Sequence, residues 1–267
     1  GGRTAVLALN LANVRLMNHD AAGALQPAQR ALTLSQNAGA GVDPRAASLT
    51  LGRAQLAVND RAGADRINAV LSGSLDAVPE SDIYTAAMDL GAWATTAYES
   101  SLAESAYASA VAHADGSPLG HAYGYGVART GQAAARYLEM LGRNGTRSAS
   151  NAMIDRVTEA IDDAVTTLRP FALWNTPAPT IGERAYADAV AWQAMLFTKV
   201  VSDRQLNGLS SIHTNEFGDL LEASGAPEQT HGQCEAHIER ERIARDTRCA
   251  RRVMATVRRS PCFLARR

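Results

Sequence analysis

Residues 19–24 read His-Asp-Ala-Ala-Gly-Ala, and residues 59–64 read Asn-Asp-Arg-Ala-Gly-Ala, 40 positions further on. At that offset Leu11 falls on Leu51, Ala12 on Gly52, Leu16 on Leu56 and Ala24 on Ala64. A further step of 39 carries Leu51-Gly52 onto Leu90-Gly91 and Ala64 onto Ala103. Self-similarity at a fixed period marks a repeat architecture, so this alignment decides the fold before any single element does. Each period holds two apolar segments of helical length, which predicts helix pairs over 4–18 with 20–35, 44–58 with 60–71, and 82–97 with 100–113. The punctuation agrees. Asp43-Pro44 offers an N-cap followed by Pro at the first helical position, and Asn59-Asp60 reads as a stop and a restart. No alternating run of β-branched and aromatic residues competes, and the fold class is all-α.

The recurring small residues have a mechanical purpose. Two antiparallel helices approach closely only where both present a small side chain at the crossing. Ala12, Gly52 and Gly91 on the first helices, with Ala24, Ala64 and Ala103 on the second, supply those crossings. The composition says the same on a larger scale. Of 267 residues, 52 are alanine, while aromatics make up 5% and apolar residues 46%. One helix pair cannot bury its apolar face alone, so stacked neighbours must complete the core.

Leu90-Gly91, Ala103, Tyr107 and Ala110 resemble the pattern of the tetratricopeptide repeat family. That pattern sets a Leu-Gly or Leu-Ala pair in the first helix, then an Ala, an aromatic and a second Ala in the next. Leu51-Gly52 and Ala64 fit it, with Asn68 in the aromatic place and Leu71 in the last. Leu11-Ala12, Ala24, Ala28 and Ala31 fit with small residues throughout. The resemblance covers 4–113 and extends to 119–169, where Thr130-Gly131 stands as a degenerate pair. It implies a right-handed α-solenoid of antiparallel helix pairs whose first helices line a concave groove for an extended peptide or partner helix. Carried onto this sequence, the groove holds Asn13 and Leu16, then Arg53 and Leu56, then Met88 and Ala92. Asn13 and Arg53 share one repeat position, where polar side chains can converge on a peptide backbone or carboxylate. Two features depart from the family. These units are 39 to 40 residues long, against about 34 in the family, and Pro27 falls inside a second helix, where it should kink it or delay its start.

Beyond residue 169 the pattern loosens. A Pro-punctuated connector over 170–179 leads into a long helix over 180–201, opened by Thr180 and Glu183 as a capping box. In a solenoid this helix would cap the apolar end of the stack, so 1–201 reads as the repeat domain. Residues 202–230 read as a turn-rich segment with one short helix, and 231–267 as a basic tail rich in Cys and Arg, solvated or disordered. The net charge of −1 hides this division. Residues 1–246 carry 27 acids against 19 bases, whereas 247–267 carry seven arginines and no acid. So abrupt a break also fits GC-rich DNA translated out of its native frame. An intact native frame in the nucleotide sequence would refute that reading.

Catalytic signatures are few. The lone lysine, Lys199, precedes Val200 rather than Ser or Thr, which excludes a P-loop, and there is no Gly-x-Ser-x-Gly elbow. Gly120, Gly124 and Gly126 follow no strand and read as close helix packing. Asp155, Glu159, Asp162 and Asp163 form an acidic stripe that reads as a solvated face. His231, Cys234 and His237, with Cys249, have no CxxC pair, and no metal or other cofactor is expected. The acidic body disfavours nucleic acid, although the tail alone would attract phosphate. No apolar run is long enough for a bilayer. The chain begins Gly1-Gly2-Arg3 without an initiator Met, as a processed or truncated product would. A likeness to repeat regions of bacterial envelope proteins leaves the compartment open between cytoplasm and periplasm or envelope. The expectation is a noncatalytic protein–protein interaction or scaffolding module, with a ligand- or peptide-sensing regulatory domain as the alternative and an all-α enzyme third.

Overall fold

The structure, a computed structural model, describes residues 2–37, 39, 41–142, 150–172 and 180–206. Among these, every regular element is helical: α1 (Gly2–Met17), α2 (Ala21–Ser35), α3 (Pro44–Ala57), α4 (Arg61–Leu71), α5 (Glu80–Thr96), α6 (Ser100–Ala112), α7 (His121–Leu141), α8 (Asn151–Leu168) and α9 (Ile181–Leu206). Single 3-10 turns follow α6 at Ala114–Gly116 and α8 at Arg169–Phe171. The segments 207–230 and 231–267, with the His/Cys set, lie outside the described residues.

Two compact units divide between Ala135 and Arg136, inside α7. In the first, α1 pairs with α2, α3 with α4 and α5 with α6, and each pair packs on the next. The core clusters give the directions. Ala12, Ala28 and Leu51 form one cluster, and Ala8, Ala31 and Ala47 another. Moving from one to the other descends α1 and α3 but ascends α2, so α2 runs antiparallel to both. The same face of successive first helices therefore meets the preceding pair at a period near 40. This is repeat-like packing of neighbouring helices.

The turn inside each pair repeats to the hydrogen bond. His19, Asn59 and Tyr98 stand at φ 59°, 60° and 59°, the left-handed conformation that ends a helix. The next residue donates its N–H back five positions: Asp20 to Arg15 at 2.8 Å, Asp60 to Gln55 at 2.9 Å and Glu99 to Ala94 at 2.9 Å. His19, Asn59 and Tyr98 themselves donate to Leu16, Leu56 and Thr95. Together these satisfy carbonyls that a helix end leaves open. Asp20 and Asp60 then cap the second helix, accepting from Gly23 and Ala62.

Glycines set the closest crossings. A Cβ on Gly63 would lie 2.5 Å from the Gly52 carbonyl oxygen, and one on Gly52 would lie 2.6 Å from Ile67 Cγ1. Tyr107 is held between α5 and α7 in the same way. A Cβ on Gly91 would meet its ring at 2.7 Å and one on Gly131 at 2.2 Å. Ala87 clusters with Ala128, and Ala94 with Ala135, so the part of α7 up to Ala135 packs on α5. Fully buried Leu49, Ile67, Ile83 and Leu90 fill the space between crossings, each contributing about 1.5–3 kcal/mol on burial.

Pro27 neither delays α2 nor leaves it exposed. The helix starts at Ala21 and Pro27 is buried within it. Proline has no N–H for the carbonyl four residues earlier, and here that carbonyl, on Gly23, accepts from Arg15 Nη1 at 2.5 Å.

In the second unit α8 packs on α9. Thr180 and Glu183 form the capping box: the Glu183 N–H donates to Thr180 Oγ1 at 3.2 Å, and the Thr180 N–H donates to Glu183 Oε2. Tyr137 meets Trp192 edge-on at 5.7 Å and donates to the Met195 carbonyl at 3.3 Å. Val157, Ala160, Ile161, Ala164 and Leu168 give α8 its buried face, while Asp155, Glu159 and Asp162 are exposed and Asp163 is half-buried.

Candidate functional site

The candidate surface is the row of first helices α1, α3 and α5, which contact one another in sequence order. Asn13 and Arg53 hold the same repeat position on α1 and α3, and both are half-buried. Each reaches to the following first helix. Thr50 Oγ1 donates to Asn13 Oδ1 at 3.3 Å, and Arg53 Nε donates to Asp89 Oδ2 at 2.7 Å. Thr50 and Asp89 are themselves 39 residues apart, so the two bonds are successive rungs of one lateral ladder. These polar groups bridge the helices that carry them, and Arg53 is more enclosed than its partner, at 17% side-chain exposure against 44%.

The other expected groove residues are distributed unevenly. Leu16 is half-buried. Leu56 belongs to the core cluster with Ile67 and Leu90. Met88 is half-buried against the Tyr84–Ala87 and Ala94–Tyr107 clusters, and Ala92 is exposed. Asn13, Arg53 and Ala92 therefore keep accessible surface on this row, whereas Leu56 is committed to packing.

Two carboxylates escaped the sequence reading. Asp82 lies two helical turns before Asp89 on α5, and burial raises its pKa above the usual carboxylate value, opposed by the Arg53 charge. With Asp89 it leaves the neighbourhood of Arg53 acidic rather than cationic. No sequence signal marked either residue, because their relation to Arg53 depends on how α5 lies along α3.

Elsewhere several charged groups pair near helix ends. His113 Nδ1 is 2.6 Å from Glu80 Oε2, and His121 Nδ1 is 3.0 Å from Asp115 Oδ1. Arg61 pairs with Glu99 and lies 5.8 Å from the centroid of Trp93, whose Nε1 donates to Asn59. Tyr84 donates to the Gly124 carbonyl at 3.1 Å, and burial pushes its pKa up to about 12. A depression of about 390 Å³ lies between α3 and α4, lined by Arg45, Ser48, Arg66, Ala69, Val70, Gly73 and Ser74. Both of its guanidiniums are engaged. Arg45 binds Asp43 through Nε at 3.0 Å and Nη2 at 2.8 Å, and the Ser74 carbonyl at 2.6 Å. Arg66 binds Gln55 at 3.0 Å.

Among the described residues, no cluster of three or more His, Cys, Asp or Glu is placed to hold a metal. No described helix is long and apolar enough to cross a membrane. Compared with protein-family models, with curated proteins and with solved structures, the chain matches none.

Proposed function

We propose that this chain is a noncatalytic interaction module, a tetratricopeptide-like α-solenoid that holds a protein or peptide partner along its row of first helices. One observation supports this reading: α1, α3 and α5 are bridged at matching positions by the Asn13–Thr50 and Arg53–Asp89 bonds. A row bridged in this way offers a partner several preset contacts at once, which lowers the ordering cost of binding. The acidic surroundings of Arg53 favour a partner segment carrying basic side chains near a backbone that Asn13 can hydrogen-bond.

The test is repeated affinity capture with the whole chain, alongside an Asp82→Asn/Ala92→Arg variant, which leaves the Arg53–Asp89 bond in place and makes the row less acidic. The expected result is one recurrent protein, recovered by the parent and lost by the variant while helicity by circular dichroism is unchanged. Equal recovery by both would refute the groove. A single small molecule that raises the melting temperature, with no protein recovered, would establish a sensing domain instead.

A further inference from the structure

The outer face of α1 carries an apolar stripe in water. Leu7 is 67% exposed, Leu11 47% and Val14 52%, at the i, i+4, i+7 spacing of one helical face. The repeat register explains why it is apolar. Forty residues on, these positions are Ala47, Leu51 and Ala54 on α3, which are buried. A further step of 39 gives Ala86 and Leu90, both buried, and Trp93, packed against the same core. On α3 and α5 this face lies against the preceding helix pair: Leu51 sits with Ala12 and Ala28, Ala47 with Ala8 and Ala31, and Leu90 with Leu49 and Ile67. Met17 is 78% exposed, but its counterparts Ala57 and Thr96 are exposed too, so it lies outside the stripe.

We infer that the Leu7–Leu11–Val14 face docks a partner consisting of one further antiparallel helix pair of the same repeat type, with alanines at three- or four-residue spacing on its contact face. The chemistry of the occupant follows from the internal interface. Leu51 is buried because Ala12 and Ala28 leave a bed for a branched side chain between two helices. Leu11 is the same residue at the same register and requires the same bed. Leu7, Leu11 and Val14 are apolar, and the exposed Asn10 beside them stands in the register of Thr50 and Asp89, so apolar area and shape, with that one polar rung, decide what fits. This extends the interaction reading to the end of the stack and does not rest on the groove, which faces a different set of residues.

The test supplies such a pair in register. A copy of residues 1–40 is fused directly ahead of Gly1, so that the duplicated Ala8, Ala12, Ala28 and Ala31 stand to α1 as the originals stand to α3. The same fusion with Leu11→Asp in the original α1 is the control. The proposal expects amide exchange in the original α1 to slow about tenfold or more in the fusion, with a raised melting temperature, and both gains to vanish in the control. The parent with Leu11→Asp should keep its fold, because Leu11 is nearly half exposed. Equal protection in the two fusions would overturn the proposal. So would Leu11-dependent self-association of the parent in sedimentation, which would assign the stripe to a second copy. Loss of affinity capture in the Asp82→Asn/Ala92→Arg variant leaves these measurements untouched, so failure of the groove and failure of the stripe are separable.

Discussion

Arg15 and Pro27 show how a local defect is repaired by a residue that no local rule links to it. Proline in a helix interior removes one backbone donor, and the Gly23 carbonyl would be left without its helical partner. Arg15, on the neighbouring helix, supplies the donor at 2.5 Å. Its salt bridge to Asp20, at 4.0 Å with both side chains largely exposed, adds little. Arg15→Ala is therefore expected to cost about 1–2 kcal/mol. In a Pro27→Ala background, where the backbone N–H returns, the same change should cost far less. A double-mutant cycle by urea denaturation checks this, and additive effects would disprove the coupling.

Two elements permit sharp tests of packing and charge. Tyr107 on α6 is clasped by Gly91 on α5 and Gly131 on α7, and a Cβ at Gly131 would overlap its ring. Gly131→Ala should thus destabilise the chain by about 1–3 kcal/mol through overpacking, although alanine is the better helix former. Combining it with Tyr107→Leu should recover part of that loss in thermal unfolding, as the clash disappears. At the start of α3, Asp43 caps the helix by accepting from the Arg45 N–H at 2.7 Å. The Arg45 side-chain bond is the main cause that lowers its pKa, with the backbone bond and charge of Arg45 helping against desolvation. A carboxyl lowered on folding stabilises above its unfolded pKa, about 3.9, and loses that contribution as pH falls through the folded value. Asp43→Asn keeps a cap acceptor but has no proton to gain. Its stability should fall less steeply than the parent's below about pH 4, measured as melting temperature against pH.

For the whole molecule, the repeat-like packing of the first unit predicts graded rather than uniform responses. Each helix pair contacts mainly its neighbours, so local stability is a sum of unit and interface contributions. Gly63→Leu, which forces α3 and α4 apart at their closest crossing, should raise amide exchange most in α3 and α4. The increase should be smaller in α1, α2, α5 and α6. Hydrogen exchange read by mass spectrometry would show it, and an equal rise across all six helices would count against nearest-neighbour packing. The charge asymmetry belongs to this scale as well. It separates an acidic body from the last 21 residues, and the repeat register is confined to the body.

The sequence alone determined whatever depends on neighbours along the chain. The helix pairs, their period, the restart at Asn59-Asp60 and the box at Thr180/Glu183 follow from caps, breakers and spacing, and the described helices begin and end close to those signals. Thr130-Gly131 was legible because the register of Leu51-Gly52 and Leu90-Gly91 continues to it. Only the tertiary structure decided which side chains the scaffold consumes. Leu56 and Leu16 share a repeat position, yet one is core and the other half-buried, because Leu56 has pairs packed on both sides and Leu16 does not. Arg53 looked like a free ligand donor until α5 brought Asp89 within 2.7 Å. Helix-forming signals act over a few residues, whereas the fate of a polar or apolar group is set by what lies across from it, and that partner is about 40 positions away.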